Sequence, residues 1–230
     1  MPVVERRSKR YKEAATKKVT APVSVEQAID VVKSFKPTKF DQSVELIFHL
    51  GIDAKHADQI VRGSVSLPHG IGKSKRVIAF CPEHLVVAAL NAGAIKAGGQ
   101  ELVAEIEKEN FTDFDVAVAT PDMMRFVGRL GKVLGPKGLM PSPKAGTVTA
   151  DVGTAVREYA AGKVEFRNDA GGNVHTVVGK VSFENAHLAE NIAAMVAQVR
   201  RLKPQTSKGA YVRKVVLKSS MSPAVELAIQ

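Results

Sequence analysis

The chain has 230 residues, of which 33 are Lys or Arg and 23 are Asp or Glu, so its formal net charge is +10. No apolar run approaches the ~18 residues of a membrane-spanning helix, and we expect neither a bilayer span nor a secretory signal. The single Cys81 excludes an internal disulfide framework and is typical of the reducing cytosol. The excess of positive charge favours a polyanionic partner, with nucleic acid ahead of an anionic membrane.

The positive charge is concentrated in three parts of the chain. Residues 1–20 hold seven basic and two acidic residues, and residues 123–150 and 191–225 hold five and seven basic residues with no acid. The remainder is therefore acidic, at about −7. Runs of charge are often only solvated faces, but such segregation creates the local potential that attracts phosphates. We expect residues 1–20 to be a basic tail that is disordered without a partner.

The first elements alternate between helix and strand. Ser24 and Gln27 form a capping-box pattern that begins a helix, and Pro37 ends it. Residues 43–50 alternate between apolar and polar, which predicts a half-buried strand, and residues 61–67 show the same period.

The middle of the chain has a different pattern. Residues 77–81 and 116–119 are apolar on both faces, as strands of a buried parallel sheet are. Helical patterns alternate with them at residues 83–92, 100–109 and 122–130. For the last of these, Thr120 is the predicted cap and Pro121 the first helical residue. The alternation predicts a small doubly wound α/β unit.

The next segment, residues 131–147, holds four glycines and three prolines, which predicts a long loop that is ordered or semi-ordered. Loops of this length in a compact domain usually have a function or are mobile. A short helix is predicted at about 153–161. Residues 163–168 and 174–180 then read as a hairpin across a Gly-rich turn. A helix and two strands complete the chain, at residues 184–203, 210–218 and 224–229.

These patterns predict a mixed fold, α/β in the middle and α+β at both ends. The simplest architecture has a discontinuous α+β domain with an antiparallel-type sheet, built from residues 1–69 and 160–230. Residues 70–159 form a second, α/β domain inserted into it. Two connections between the domains suit a hinge.

The sequence contains no convincing catalytic, metal or cofactor site. Residues 67–74, LPHGIGKS, match the end of a phosphate-binding loop, but Leu67 replaces its first glycine and a strand pattern follows instead of a helix. Cys81 and His84 have no second pair at zinc-site spacing. Aromatic residues are few and the RNA-stacking strand motif is absent. An RNA-binding role would therefore depend on the shape, sugars and phosphates of folded RNA.

Seven segments together resemble the bacterial ribosomal protein L-one family. They are residues 9–15, 39–45, 61–73, 119–124, 131–148, 163–175 and 219–223, and the resemblance covers essentially the whole chain. It implies a cytoplasmic ribosomal protein, monomeric off the ribosome, without enzymatic activity. The domain made of both chain ends would bind large-subunit ribosomal RNA, and the inserted domain would be Rossmann-like.

The resemblance also implies partners beyond the ribosomal RNA. The family belongs to the mobile stalk of the large subunit, which assists release of exit-site transfer RNA. Many bacterial members also bind their own operon messenger RNA and repress its translation. Two other hypotheses stay open: a nucleotide-binding enzyme that uses the inserted domain, and a regulator that acts on messenger RNA alone.

The family's RNA surface maps onto two patches of this chain. One matches Lys39, Phe40, Ser43 and Glu45, and the other matches Ser220, Met221 and Ser222. Hydroxyl groups can bond the 2′-hydroxyls of RNA, Lys39 can neutralise phosphate, and the apolar side chains can exclude water. Alternatively, Phe40 packs beneath the preceding helix.

This sequence departs from the family pattern at a few positions. The family usually has Thr where Ser43 and Ser220 stand, and Gly where Ser222 stands, so the contact at residue 222 is in question. Arg167 and Asp169 are expected either to support the RNA surface or to form a purely structural pair.

The last candidate contacts are Lys132, Lys137 and Lys144 in the segment 131–147. They are expected either to face stalk RNA or transfer RNA, or to lie on a structural loop that packs Leu134, Leu139 and Met140.

Overall fold

The computed structural model describes residues 8–19, 21–109 and 111–229. The described chain divides into two compact units. The first unit contains the described residues up to Val61, residues Leu67–Gly72, and those from Phe166 onward. The second unit contains Arg62–Ser66 and Lys73–Glu165. The protein is a mixed α/β protein, as predicted.

The described residues form the following helices and strands, given in chain order. They are α1 (Lys9–Thr16), α2 (Val25–Ser34), β1 (Ser43–Leu50), β2 (Arg62–Val65), β3 (Val77–Phe80), α3 (Glu83–Asn91), β4 (Lys96–Gly98), α4 (Gln100–Glu109), β5 (Val116–Ala119), α5 (Met124–Val127), α6 (Gly131–Leu134), α7 (Val152–Ala160), β6 (Val164–Arg167), β7 (Asn173–Lys180), α8 (Asn185–Arg201), β8 (Val212–Ser219) and β9 (Val225–Glu226). Two 3-10 turns lie at Gly128–Leu130 and Pro143–Ala145.

The first unit is built on a four-stranded antiparallel sheet in the order β7-β1-β8-β9. Along β1, every second residue is buried, from Val44 to Leu50. The helices α2 and α8 pack on this buried face with their apolar sides. The alternate residues of β1 lie on the opposite face, where they are only partly buried. The period-two pattern of the sequence thus separates a core face from a face free to bind.

Helix α2 begins as predicted, because Ser24 Oγ accepts a hydrogen bond from the Gln27 amide and the Gln27 side chain accepts one from the Ser24 amide. The predicted tail contains a further helix. Residues 9–16 form α1, whose first turn is capped by the Ser8 hydroxyl. Residues 1–7 and 20 of that tail lie outside the described residues.

The predicted hairpin between residues 163–168 and 174–180 is wrong. Strand β6 pairs with β2, whereas β7 pairs with β1 from Ser43 opposite Lys180 to His49 opposite Asn173. A single bridge, between Asn168 and Val174, joins the two segments. Alternation of side chains identified both strands, but it carries no information about which strand is the partner.

The second unit contains a three-stranded parallel sheet in the order β4-β3-β5. All residues of β3 and β5 are buried, as the apolar runs predicted, because helices cover both faces. One core lies between the sheet and α4, α5 and α6, and the other between the sheet and α3 and α7. Strand β4 was missed, because three partly buried residues show no period.

The segment after β5 corrects the predicted start of its helix and adds helical turns to the predicted loop. The helix begins at Met124 and not beside Thr120, whose buried hydroxyl makes no hydrogen bond within the described chain. The Met123 amide bonds the Thr120 carbonyl in a turn instead. Residues 131–147 are ordered: Gly131–Leu134 is helical, Pro143–Ala145 is a 3-10 turn, and the apolar side chains between them pack on the core.

One buried side chain holds the segment Leu67–Gly72 in the first unit. Asn191 of α8 is fully buried and accepts a hydrogen bond from the His69 amide at 3.1 Å. Its amide nitrogen donates to the carbonyls of Gly70 at 3.0 Å and Val178 at 2.8 Å. Replacement by an apolar side chain would leave all three backbone groups unpaired.

We therefore predict that Asn191→Leu lowers the free energy of unfolding by about 2 kcal/mol or more, because the buried Val178 carbonyl and two partly buried backbone groups lose their partner, and a buried unpaired group costs about 1–3 kcal/mol. Chemical denaturation followed by circular dichroism measures this change. Asn185→Leu is the matched control on the same helix, where the side chain bonds only the exposed Asp30, and it should cost no more than about 1 kcal/mol. Equal losses for the two variants would contradict the assigned role of Asn191.

Candidate nucleic-acid interface

The pairing of β1 with β8 brings the two family-matched patches together. Val44 lies opposite Ser219 and Glu45 opposite Lys218, and the Ser220 amide bonds the Ser43 carbonyl at 3.0 Å. Residues that are 177 positions apart in the chain therefore share one end of the sheet. We refer to residues 39–45 and 218–222 in this arrangement as the β1–β8 surface.

Gln42 fastens the two segments of this surface to each other. Its side chain is only 7 % exposed, and its Oε1 accepts hydrogen bonds from Ser219 Oγ at 3.1 Å and from the Met221 amide at 3.0 Å. Sequence reasoning did not single out Gln42. A signal was present, because residue 42 has the same parity as the buried positions of β1, where a polar side chain must find partners.

The two apolar side chains of the surface are both exposed. Phe40 is 53 % and Met221 51 % exposed, whereas Phe35 at the end of α2 is buried. The alternative in which Phe40 packs beneath the helix is therefore wrong. Phe40 also lines a cavity of about 540 Å³ that includes Phe35, Gln42 and Val181. Because Phe40 and Met221 belong to adjoining segments at the same end of the sheet, they are the kind of exposed apolar feature that marks a contact surface.

The three serines are in different situations. Ser43 Oγ accepts a hydrogen bond from Lys180 Nζ at 3.1 Å, so its own proton remains available to a partner. Ser220 Oγ approaches the Ser43 carbonyl at 3.4 Å, a long and weak contact. Ser222 Oγ accepts from the Ser219 amide at 2.9 Å and closes the turn after β8. The residue that replaces the family glycine thus serves the fold of this chain.

Charges of both signs border the surface. Lys218 Nζ lies 3.0 Å from Glu45 Oε2, which leaves that pair nearly neutral. Lys39 is exposed and forms no ion pair with any described residue. Helix α1 also reaches this end of the sheet, because Arg10 Nη2 lies 3.5 Å from the Met221 carbonyl. Lys39 and Arg10, which form no ion pair with a described residue, are therefore the cations best placed to meet phosphate.

Arg167 and Asp169 do not lie at the β1–β8 surface. The turn that follows Asp169 lies at the His49 end of β1, about 20 Å along the strand from Ser43. Asp169 Oδ1 accepts hydrogen bonds from the amides of Gly171 at 2.8 Å and Asn173 at 2.7 Å. Both bonds lower the pKa of the Asp169 carboxyl group, and the bond from the Asn173 amide has the largest effect. Arg167 is exposed and does not pair with Asp169, so the expected structural pair is absent from the described residues.

The three candidate lysines of the second unit are all exposed. Around them, Leu134 is fully buried and Leu139 and Met140 pack on the same core. Lys137 also donates to the Thr112 hydroxyl. The anchoring apolar side chains and the outward lysines therefore occur together, so the two expectations for this segment are compatible.

The structure gives no support to a phosphate-binding loop at residues 67–74. The residues after Ser74 lead into strand β3 and not into a helix, as the sequence predicted. Gly72 has a φ of +72°, and a Cβ there would lie 2.9 Å from side-chain atoms of Lys180 and Phe183. Its glycine is thus explained by the backbone and by packing.

The described residues contain neither a metal-binding cluster nor a membrane-spanning helix. No group of three or more His, Cys, Asp or Glu residues could hold a metal ion. No described helix is long and apolar enough to cross a membrane.

Comparison with known proteins identifies the family. The model of the Ribosomal protein L1p/L10e family matches residues 32–223. The chain belongs to this family. Three similar relatives, each called "Large ribosomal subunit protein uL1", come from Solibacter usitatus, Persephonella marina and Chloroflexus aggregans. Their identities with this chain are 48 % over 219 residues, 49 % over 209 and 52 % over 201. These alignments cover 95 %, 90 % and 86 % of this chain, and 92 %, 86 % and 85 % of the relatives.

We predict that Gln42→Leu loosens the turn after β8, because the Met221 amide and the Ser219 hydroxyl lose their acceptor. The free energy of unfolding should fall by about 1–3 kcal/mol, and hydrogen exchange at the Met221 amide should accelerate. Exchange followed by mass spectrometry measures the second effect.

Gln59→Leu is the control, since Gln59 Oε1 accepts one exposed backbone bond, from Asp53, in the same unit. It should leave exchange at Met221 unchanged. Unaltered protection of Met221 in Gln42→Leu would show that Gln42 does not hold the surface.

Proposed function

We propose that the protein is a non-catalytic structural constituent of the large ribosomal subunit, and that its first unit binds large-subunit ribosomal RNA through the β1–β8 surface. The observation that carries the proposal is the register of β1 with β8, which unites both family-matched patches on one exposed sheet end. The relatives named as large-subunit proteins support the assignment. The protein would accordingly reside on the ribosome in the cytoplasm.

The chemistry of the surface suits folded RNA. Lys39 meets phosphate, and Arg10 and Lys180 lie close enough to extend that contact. The hydroxyls of Ser43 and Ser220 can donate to or accept from ribose 2′-hydroxyls, which distinguishes RNA from DNA. Glu45, neutralised by Lys218, can accept from a 2′-hydroxyl. Phe40 and Met221 flank these groups and exclude water, so the polar bonds form in a drier setting.

The proposal includes a division of the molecule. The first unit is the discontinuous RNA-binding domain, and the second, with its covered parallel sheet, is the inserted Rossmann-like domain. We propose that Arg167 and Asp169 support the RNA-binding domain from the end of its sheet that is remote from Ser43. Lys132, Lys137 and Lys144 of the second unit face stalk RNA or exit-site transfer RNA.

The finer roles follow from the family. Placement at the mobile stalk gives the protein a part in releasing exit-site transfer RNA, and the same RNA surface, on the monomer off the ribosome, binds the operon messenger RNA and represses its translation. A nucleotide-binding enzyme is the rival, and the strand that follows Ser74 disfavours it. Saturable micromolar binding of ATP, GTP or NAD would favour the rival.

The function is tested by separating charge from shape at the β1–β8 surface. Lys39→Ala should weaken binding to all RNAs alike and reduce the slope of log affinity against log salt by up to about one. Ser220→Ala should weaken binding to a stalk ribosomal RNA fragment by about 1–3 kcal/mol, because a buried partner loses its hydrogen bond. Binding to unrelated RNA should stay unchanged. Fluorescence anisotropy over a range of salt measures both.

Lys55→Ala is the matched control for Lys39, since Lys55 is also an exposed lysine of the first unit but belongs to neither patch. It should leave the fragment's affinity nearly unchanged. If Lys39→Ala and Ser220→Ala reduce cognate and unrelated RNA equally, the β1–β8 surface is not the recognition surface.

The role of the second unit's lysines calls for intact ribosomes. Changing Lys132, Lys137 and Lys144 together to Gln should alter thermal stability by no more than about 0.5 kcal/mol, because all three are exposed. Binding to the isolated ribosomal RNA fragment should also stay unchanged. The expected defect is slower release of exit-site transfer RNA, measured by stopped-flow fluorescence on reconstituted ribosomes. Normal release would leave these lysines with a purely solvating role.

A further inference from the structure

The cavity beside Phe40 is bounded by the end of α2, the loop from Pro37 to Asp41 and the two residues after β7. Its volume is about 540 Å³, within the range of about 300–1,000 Å³ that is usual for pockets that bind small ligands. Among its lining residues, Val32, Phe35 and Gln42 are buried. The cavity belongs wholly to the first unit, and it adjoins the β1–β8 surface because Phe40 and Gln42 belong to both.

Phe40 supplies an aromatic ring to this cavity. Among the Phe and Tyr side chains of the described residues, only that of Phe40 is exposed. The backbone that carries it is held in place, because the Thr38 hydroxyl donates a hydrogen bond to the Phe40 carbonyl at 2.7 Å. An exposed ring on a fixed backbone is suited to stacking against the flat ring of a nucleobase.

Gln42 brings an unpaired hydrogen-bond donor to the same cavity. Its Oε1 accepts the bonds from Ser219 and Met221, which determine the orientation of the amide group. Its Nε2 donates to none of the residues that the structure describes, although the side chain is almost completely buried. A buried side chain with an unpaired donor calls for an explanation, and the cavity that Gln42 lines is the place from which a ligand would supply the acceptor.

Asp41 adds a carboxylate to the lining of the cavity. Its Oδ2 accepts a hydrogen bond from Ser182 Oγ at 2.8 Å, and its Oδ1 lies 3.3 Å from the Ser182 amide nitrogen. Because an ionised carboxyl group can accept about four hydrogen bonds, Asp41 retains capacity for an amino group of a ligand. The cavity therefore combines an aromatic ring, an amide donor and a carboxylate acceptor, and unstacked bases are held by stacking and by hydrogen bonds of this kind.

We infer that this cavity receives one unstacked nucleobase of the ribosomal RNA bound at the β1–β8 surface, stacked on Phe40 and hydrogen-bonded to Gln42 and Asp41. The base carries an exocyclic amino group, because a carboxylate accepts hydrogen bonds from such groups. Lys39 also lines the cavity and neutralises a phosphate beside the base. The inference rests on the proposed function, and it adds the recognition of one base to a surface that otherwise contacts sugars and phosphates.

Filling the cavity should weaken RNA binding and preserve the fold. Val181 is half-buried and lines the cavity, and its backbone bond to the Gln42 carbonyl, at 2.9 Å, does not involve its side chain. Val181→Phe in the full-length protein should weaken binding of a stalk ribosomal RNA fragment about tenfold, because the base loses its stacking partner. The melting temperature should change by no more than about 2 °C. Phe40→Leu should have the same effect on binding, whereas Phe40→Tyr, which keeps the ring, should stay within about twofold of the wild type.

Val196→Phe is the matched control for Val181→Phe. Val196 is also a half-buried valine of the first unit, but it lines a different cavity, of about 390 Å³, beside α8. That cavity shares no lining residue with the cavity of Phe40. The control variant should therefore bind the RNA fragment as the wild type does. Fluorescence anisotropy measures binding of the labelled fragment, and differential scanning fluorimetry measures the melting temperature.

Abasic substitutions in the RNA identify the base. Each unpaired position of the stalk fragment is replaced in turn by an abasic nucleotide, and its affinity is measured for the wild-type protein and for Val181→Phe. At one position, the substitution should weaken binding to the wild type about tenfold and leave binding to Val181→Phe unchanged, because the filled cavity already excludes the base. Such a non-additive pair of changes shows that the base and the cavity are in contact.

The outcomes separate this inference from the proposed function. Coupling at a base with an exocyclic amino group supports the inference. Coupling at a uracil, additive losses at every position, or unchanged affinity of Val181→Phe overturns it. Failure of the proposed function is a different result, because it appears as equal effects of Lys39→Ala and Ser220→Ala on the stalk fragment and on unrelated RNA.

Discussion

The pairing of β1 with β8 is the constraint on which the candidate interface depends. It joins Ser43 and Ser220 across a separation of 177 residues, and closing so long a loop costs conformational entropy that local hydrogen bonds alone cannot offset. The offset comes from the other face of the same strands, where Val44, Leu46 and Phe48 are almost completely buried. The interface therefore exists because the core beneath it exists.

This arrangement supports the proposal that the β1–β8 surface recognises the shape of a folded RNA. Its hydroxyls and exposed apolar side chains are carried by a sheet end whose register is set by buried alternate residues. Gln42 and Ser222 then immobilise the turn after β8 from inside the protein. Recognition of a folded RNA requires donors at constant spacing, and a sheet provides such spacing better than a mobile loop does.

The parallel sheet of the second unit differs from the sheet of the first in having helices on both faces. Both faces of its sheet are covered by helices, so the strands are buried between two apolar cores and present no binding face. Polar chemistry is left to the surface of the helices and to the segment 131–147, where buried Leu134 holds the chain in place.

The amino-acid sequence by itself determined the local structure of most elements. The capping box at Ser24, the alternation of β1 and the fully apolar β3 and β5 are all written in neighbouring residues, because a helix or a strand is defined by a short period. The pattern of motifs also identified the family, and with it the segments 39–45 and 219–223.

Only the tertiary structure decided which strands pair and what each polar side chain does. The hairpin expected around residue 170 is replaced by the pairing of β7 with β1, since the free energy of pairing depends on burial against distant helices. Contacts between residues far apart in the chain give Gln42 its role in holding the turn after β8. Such contacts also place Asp169 far from Ser43. Periodicity predicts which face of a strand or helix a residue occupies, but the packing of the whole unit determines which residue it contacts there.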